Sequence, residues 1–119
     1  MTKSAWRLFA LDELTEGIEG GEKEPRFVQF LRTPTLSCAI YHLPAGAQDM
    51  QAPHLEDELY FVVGGHARVR VAGQERDVSA GTILYVRATS EHTFFNIDED
   101  LTLIAVFGRP RAFRLHSAD

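Results

Sequence analysis

The sequence predicts an antiparallel all-β domain, most simply a sandwich or a barrel, and three observations support this fold class. From Arg26 onward, short apolar runs recur about every eight to twelve residues, and glycine, proline, aspartate or asparagine closes each run. Apolar and polar residues alternate most clearly over residues 66–72, where Ala67, Val69 and Val71 share one face. The 119 residues also allow one domain and leave little room for a second.

The N-terminal part, residues 1–25, forms a separate segment in this interpretation. Over residues 8–25 acidic side chains are frequent and Lys23 is the only base. Asp12 is placed to cap one or two helical turns, which the glycines that follow would end. We therefore predict a short helix or turn and then an acidic, solvated arm, with the β domain over residues 26–119.

The apolar runs also place the strands in chain order. We predict strands over residues 26–32, 36–43, 50–54, 57–63, 66–72, 75–79, 82–87, 92–97 and 101–107, with a last one over 112–116. Glycines at 63–66 and at 71–74 indicate tight hairpin turns, because glycine readily takes the positive φ that such turns require.

The predicted strand 57–63 is apolar on both faces. Tyr60 shares one face with Glu58, whereas Leu59 and Phe61 share the other. Something must cover the second face, since so much apolar surface is unfavourable in water. A second sheet, the N-terminal arm or another copy of the chain are the candidates, and a homodimer is the preferred interpretation.

Composition narrows the classes of partner. Twelve Lys and Arg against seventeen Asp and Glu give a net charge of -5, with no basic run, which argues against nucleic acid and against an anionic membrane. Cys38 is the only cysteine, so no intrachain disulfide can form. The apolar runs are too short to cross a bilayer, and the first residues lack the pattern of a signal peptide. We expect a cytoplasmic protein.

One histidine stands in an informative position. His54 precedes Glu58 by four residues, with a chain turn possible between them. If His54 ends one strand and Glu58 begins the next, both side chains can point inward within reach of one metal ion. A helix also aligns positions four apart, but the alternating run that follows favours strands.

The residues around this pair resemble the first motif of the cupin superfamily, Gly-x5-His-x-His-x3-Glu-x6-Gly. Gly46, His54, Glu58 and Gly65 match the motif, and Ala52 stands at the position of its first histidine. The similarity is to small single-domain members of this superfamily.

A second stretch, residues 81–96, resembles the second motif of the same superfamily, Gly-x5-Pro-x-Gly-x2-His-x3-Asn. Gly81, His92 and Asn96 match, whereas Arg87 stands at the proline position and a threonine at the second glycine position. The resemblance implies a double-stranded β-helix, or jelly-roll barrel, in which the two motifs meet at one mouth.

The resemblance further implies a divalent transition metal, Fe, Mn, Ni or Zn, held by His54, Glu58 and His92. Imidazole nitrogens and a carboxylate oxygen suit these ions. The alanine at the first-histidine position leaves at most three of the four ligands typical of the family, which also leaves a coordination position open. Gln51 is a candidate fourth ligand and Met50 a weaker one, while water is the preferred alternative.

If a cavity adjoins the metal, its walls are predicted from strand parity and from the motifs. The predicted substrate-pocket residues are Tyr60, Phe94, Asn96, Tyr85, Arg87 and Met50. Arg87 is the cation that we expect to hold a substrate carboxylate or phosphate.

Two functions follow from these residues. The first is a metalloenzyme acting on a small organic molecule, by dioxygenase-like oxidation or by metal-assisted isomerisation or elimination. The alternative is a cupin module that binds or senses a small molecule without turnover. Metal content and a tightly held organic ligand distinguish the two.

Overall fold

The computed structural model describes residues 4–18, 23–49, 51 and 53–108 of the chain. Within them the backbone forms one short helix and six strands. These are α1 (Leu11–Thr15), β1 (Arg26–Arg32), β2 (Leu36–Leu43), β3 (Asp57–Val71), β4 (Gln74–Ser79), β5 (Ile83–Val86) and β6 (His92–Gly108).

Every pair of neighbouring strands is antiparallel, and the order in the sheet is β1-β2-β6-β3-β4, with β5 also pairing with β3. The second half of β6 lies between β2 and the first half of β3, so Leu103 is opposite both Tyr41 and Val62. The first half of β6 pairs with the second half of β3, where His92 is opposite Val71. The predicted all-β fold of jelly-roll type, with a short N-terminal helix, is confirmed.

The inner face of the rolled sheet carries the hydrophobic core. Tyr60 and Val62 of β3 and Leu101 and Leu103 of β6 are completely buried, and Phe94 is nearly so. Burying one side chain of this size stabilises the fold by about 1.5–3 kcal/mol. The core therefore holds the two halves of β3 and β6 around one interior.

The outer face of β3 and β5 remains apolar and exposed. Leu59 lies opposite Tyr85, and Phe61 lies opposite Ile83. Their exposed fractions are 42% and 58% for the first pair and 40% and 67% for the second. We call these four side chains the outer patch. The homodimer expected from them stays a prediction.

The N-terminal arm is not purely a solvated segment, contrary to expectation. The ring of Phe9 packs edge-on against Phe30 of β1, with 4.9 Å between the centroids, and Ile18 is buried. Asp12 lies inside the first turn of α1 and does not cap it, because the residue before the helix is Ala10. The boundary between the segments 1–25 and 26–119 stays a prediction.

The predicted hairpin turn at residues 63–66 is wrong, because β3 runs through it as one strand. The glycines have a different role there. Gly65 has a φ of +95°, and a side chain at this position would collide with the backbone carbonyl of Asp100 on β6. The pairing of β3 with β6 is irregular between Val62 and Arg68. The glycines therefore mark an irregular stretch inside a long strand.

Two other strand predictions differ from the structure. The segments 92–97 and 101–107 are joined in the single strand β6. No strand is found at the described positions of the segment 50–54, which are 51, 53 and 54, while Met50 and Ala52 lie outside the described residues. Next to this segment, a side-chain hydrogen bond takes the place of backbone pairing between strands, since Phe94 N donates to the Asp49 carboxylate. The segment 112–116 also lies outside the described residues.

The second predicted hairpin is confirmed. Val71 pairs with Gln74, so Ala72 and Gly73 form a two-residue turn between β3 and β4. Both have positive φ, +49° and +84°, as a type I′ turn requires.

None of the helices in the described ranges is long and apolar enough to cross a membrane. The cytoplasmic location and the absence of a nucleic-acid partner stay predictions from the sequence. Neither is tested by the fold.

Replacing Gly65 by alanine should destabilise the protein by more than about 3 kcal/mol, because the new methyl group meets the Asp100 backbone at a positive φ. Urea denaturation followed by circular dichroism measures this loss. Gly73→Ala is the matched control: its φ is also positive, but nothing lies within 4 Å of the added carbon. We expect a loss of about 1 kcal/mol there. Equal losses at both positions would contradict the close approach at Gly65.

Candidate functional site

A buried polar cluster lies inside the roll, and its members come from distant points of the sheet. Glu58 is the second residue of β3, whereas His92 pairs with Val71 at the far end of β3. A straight strand would separate Glu58 from Val71 by about 43 Å. Instead, Glu58 Oε2 lies 2.7 Å from His92 Nε2. The roll of β3 therefore creates the site.

Tyr60 completes a triangle with these two residues. Its hydroxyl oxygen lies 2.8 Å from Glu58 Oε2 and 3.1 Å from His92 Nε2. Tyr60 is completely buried, and Glu58 and His92 are 2% and 6% exposed. Burial and the negative charge of Glu58 raise the pKa of Tyr60 far above its usual value. The phenol therefore keeps its hydrogen.

The orientation of His92 is fixed by a backbone group. Its Nδ1 lies 3.0 Å from the carbonyl oxygen of Ser90, which can only accept a hydrogen bond. Nδ1 therefore carries a hydrogen, and Nε2 of the neutral ring presents its lone pair to the carboxylate of Glu58. Two lone pairs 2.7 Å apart repel each other unless a cation lies between them. A proton or a metal ion meets this requirement.

The proton affinity of His92 agrees with this geometry. Burial alone would lower the pKa of His92, but the hydrogen bond with Glu58, the Ser90 carbonyl and nearby negative charges outweigh it, and the pKa is raised. Without another cation, the pair is therefore an imidazolium bonded to a carboxylate at pH values below this raised pKa.

His54 approaches the same carboxylate from the other side. Its Nε2 lies 3.3 Å from Glu58 Oε1, and its side chain is 38% exposed while that of Glu58 is 1% exposed. This contact is within ion-pair distance, but the two atoms are not aligned for a hydrogen bond. Glu58 Oε1 is therefore buried without a hydrogen-bond partner. A buried carboxylate oxygen in this state costs free energy, and a bound cation would remove that cost.

The three predicted metal ligands are thus brought together at Glu58, but not around a common point. His92 contacts one carboxylate oxygen and His54 the other. In the described part of the chain, no group of three or more His, Cys, Asp or Glu side chains is arranged to hold a metal ion. The donor types and the unpartnered Oε1 suit a divalent transition metal. The geometry shown is a hydrogen-bonded pair of Glu58 and His92 with His54 beside it.

Gln51 reaches the cluster through Tyr60 and not directly. Its Oε1 accepts from the Tyr60 hydroxyl at 2.9 Å, and its Nε2 donates to Asp49 Oδ2 at 2.9 Å. Its predicted role as a fourth ligand stays a prediction. Met50 and Ala52 on either side of it lie outside the described residues.

Sequence reasoning missed Asp49, which is only 9% exposed. Its carboxylate accepts hydrogen bonds from the Tyr41 hydroxyl at 2.6 Å, from the Gln51 amide at 2.9 Å and from Phe94 N at 2.9 Å. Regular strand parity places Asp49 on the side away from the site. The segment is not a strand, so parity does not apply, and no sequence signal marks the residue.

One cavity adjoins the cluster at His92, and a second lies next to the first. One of about 260 Å³ is lined by His92, Gln51, Thr93 and Arg70 among others, and a second of about 710 Å³ shares Thr93 and Arg70. Arg70 is the only Lys or Arg among the described residues that line either cavity. Its guanidinium is bonded to Glu75, so its charge is largely neutralised.

The predicted pocket residues divide between the two faces of the sheet. Phe94 lines the larger cavity and packs edge-on against Tyr60, with 5.3 Å between ring centroids, and Asn96 lines the same cavity. Tyr85 is 58% exposed and lies opposite Leu59, on the outer face. Arg87 is exposed and lines neither cavity. Arg70, which the sequence did not indicate, is the cation at the cavities.

Comparison with known proteins gives two findings at the level of sequence. Residues 39–107 match the Cupin_2 family, described as a cupin domain. A protein of Streptomyces coelicolor, named uncharacterized protein SCO3923, is 40% identical over 106 residues, which cover 89% of this chain and 99% of that protein.

Solved structures extend the comparison to the fold. KdgF from a Halomonas species has a TM-score of 0.67 at 22% identity over 81% of this chain and 88% of that one. A proposed mannose-6-phosphate isomerase from Ralstonia eutropha has a TM-score of 0.71 at 22% identity, over 82% and 95%. A cupin superfamily protein from Desulfitobacterium hafniense has a TM-score of 0.72 at 17% identity, over 87% and 92%. These likenesses show the fold alone.

Proposed function

This chain belongs to the Cupin_2 family of cupin domains, and on that premise we propose that it binds a divalent transition metal and acts on a small organic molecule. The ligands in this proposal are His54, Glu58 and His92. One observation carries it: the 2.7 Å contact in which Glu58 Oε2 and the lone pair of His92 Nε2 face each other in a buried place.

The buried negative charge of Glu58 beside the lone pair of His92 favours a metal ion over an uncharged ligand. The Ser90 carbonyl keeps the hydrogen of His92 on Nδ1, so Nε2 is available as a ligand. Glu58 contributes a buried negative charge and an oxygen without a partner. Fe, Mn, Ni and Zn all accept this mixture of imidazole and carboxylate, so the residues do not select one of them.

The kind of ion and the surroundings of the proposed ligands determine which reactions the site could support. A redox-active ion bound there would support O₂-dependent oxidation, and a redox-inert ion would act as a Lewis acid in isomerisation or elimination. Because the His54 side chain is 38% exposed, the proposed centre would lie near the surface, and the cavity of about 260 Å³ beside His92 would offer room for a small substrate. Tyr60 keeps a phenolic hydrogen beside the ligands. The proposed isomerase from Ralstonia eutropha supports isomerisation as one alternative.

Metal titration tests the proposal. We expect the purified wild-type protein to bind about one equivalent of Mn²⁺, Ni²⁺ or Zn²⁺ by calorimetry, and His92→Ala and Glu58→Gln to weaken binding by more than about 100-fold, because each removes a ligand. His54→Ala should also weaken it, by at least about tenfold.

His66→Ala is the control. It also removes a histidine, but this histidine pairs with Asp98 on the outer face of the sheet. It should bind as the wild type does. Wild-type protein without affinity for any of these ions, or His92→Ala protein that retains full stoichiometric metal, would contradict the proposed site.

A second candidate function is a module that binds or senses a small molecule without turnover. It is favoured by the contacts of the Tyr60 hydroxyl, which links Glu58, His92 and Gln51 in a hydrogen-bonded network without a metal. Elemental analysis and mass spectrometry of one preparation distinguish the two. Metal-free protein that retains an organic ligand would favour the module.

We also propose that the protein is a homodimer and that the outer patch is its interface. The four side chains of the patch form a continuous apolar surface on two paired strands. Exposed apolar surface of this kind is most often covered by a partner. A second copy satisfies this with the same surface on both sides of a two-fold axis.

Light scattering after size exclusion tests the dimer. We expect the wild type to elute as a dimer at about 100 µM and Ile83→Glu to elute as a monomer, because the new charge would be buried in the interface. Leu8→Glu changes an apolar side chain that lies outside the patch and is more exposed than Ile83, 85% against 67%, and this variant should stay dimeric. A wild-type protein that is monomeric at this concentration would overturn the proposed interface.

A further inference from the structure

We propose that Asp57 is a positioning residue of the site. Its carboxylate holds the loop between β5 and β6, residues 87–91, and this loop in turn fixes the positions of the two histidines, His54 and His92. This inference rests on the metal site proposed above and adds to it the residues that hold the proposed ligands in place. We call residues 87–91 the β5–β6 loop.

The β5–β6 loop contacts both histidines through its backbone. Thr89 N donates a hydrogen bond to the carbonyl oxygen of His54 at 2.7 Å. The carbonyl oxygen of the next residue, Ser90, accepts from Nδ1 of His92 at 3.0 Å. The first bond holds the backbone that carries His54, and the second holds the ring of His92. A shift of this one loop would therefore move both imidazoles relative to the Glu58 carboxylate.

Asp57 joins the β5–β6 loop to β3. Its Oδ1 accepts a hydrogen bond from Ala88 N at 2.8 Å, across 31 positions of the chain. Asp57 is the first residue of β3 and directly precedes Glu58. The strand that carries the proposed carboxylate ligand therefore also holds the loop that fixes the two histidines.

The backbone of Thr89 needs to be held in its conformation. Its φ is +66°, in the left-handed region, where a β-branched side chain is strained. Strained backbone persists only where the surrounding structure holds it. The bond between Asp57 and Ala88 N holds the residue directly before Thr89. Without the Asp57 carboxylate, we expect the loop to relax from this conformation.

Side-chain packing gives the β5–β6 loop little support. None of its five side chains except the exposed or half-buried ones is present to anchor it: Arg87, Thr89 and Glu91 are exposed, and Ala88 and Ser90 are half-buried. A segment with few buried contacts opens easily, so its position depends on its hydrogen bonds. Asp57 is itself exposed, and its substitution leaves no buried hole in the fold.

Hydrogen exchange in the metal-free protein tests whether Asp57 holds the loop. NMR follows two hydrogens, the amide hydrogen of Thr89 and the Nδ1 hydrogen of His92. In Asp57→Ala both should exchange about tenfold faster, because the loop opens more often without its acceptor. Asp57→Asn keeps an acceptor oxygen at the same place and should retain most of the protection. Unchanged exchange in Asp57→Ala, or an equal acceleration in Asp57→Asn, would overturn the proposal.

Asp100→Ala is the matched control for this experiment. Asp100 is also exposed, and its Oδ1 also accepts from a backbone amide at 2.8 Å, but that amide belongs to Ala45 and lies outside the β5–β6 loop. This variant should leave both exchange rates as they are in the wild type. The same acceleration in Asp100→Ala would indicate a general loss of stability and would contradict a specific role of Asp57.

Titration with Co²⁺ tests whether this hold matters to the proposed ligands. Asp57→Ala should lower the Co²⁺ affinity by about tenfold and change the absorption spectrum of the bound ion, because both imidazoles are then less well placed. Asp57→Asn and Asp100→Ala should keep the affinity and the spectrum of the wild type. Asp57→Ala protein that unfolds at lower urea concentration, but binds Co²⁺ as the wild type does, would leave Asp57 with a structural role and would overturn the positioning role.

The two proposals fail differently. Wild-type protein that binds no Co²⁺ would overturn the metal site, and the exchange rates of the metal-free protein would still decide whether Asp57 positions the two histidines. Wild-type protein that binds Co²⁺, combined with Asp57→Ala protein that matches it in affinity and in exchange, would overturn this inference alone.

Discussion

The contact between the Glu58 carboxylate and the His92 imidazole is the interaction on which the site depends. It joins residues that belong to opposite ends of the β3–β6 pairing, and it is buried, so its charges are not screened by water. A buried carboxylate without a cation is strongly unfavourable, and the Ser90 carbonyl keeps the only ring hydrogen of neutral His92 on the far nitrogen. The short contact is therefore favourable only with a proton or a metal ion between the two atoms.

The fold provides this contact by rolling its longest strands. β3 stays one strand through its two glycines, and Gly65 lies so close to the Asp100 backbone that no side chain fits. Rolled in this way, β3 brings Glu58 across the core to His92, while its outer face is left apolar and exposed. The buried polar cluster and the outer patch thus both depend on β3, since Glu58 and Leu59 point to opposite faces of this strand.

The sequence was sufficient for the parts of the molecule that depend on local patterns. Alternation predicted the antiparallel sheet, and Ala72-Gly73 predicted a turn that requires two positive φ angles. Motif spacing indicated that His54, Glu58 and His92 lie near one another, and both histidines contact the Glu58 carboxylate, each at a different oxygen. Gly65 was misread as a turn, because a glycine needed for close approach of two strands looks the same in sequence as one needed for a hairpin.

Sequence reasoning failed where side-chain hydrogen bonds take the place of regular backbone pairing between strands. Asp49 is directed inward by bonds to Tyr41 and Phe94, which are distant in sequence, so strand parity gave the wrong face. Parity did apply to Tyr85, but it did not reveal that this face of β5 is the outer one.

Proton release on metal binding tests most directly whether the pair of Glu58 and His92 holds an exchangeable cation. The raised pKa of His92 means that the folded, metal-free site holds a proton at pH values up to this pKa, and a metal ion on Nε2 must displace it. Calorimetry of Zn²⁺ binding at about pH 6.5, in buffers of different ionisation enthalpy, should give about one proton released per ion. Zinc that binds without releasing a proton, or with the same release in His92→Ala, would contradict the account.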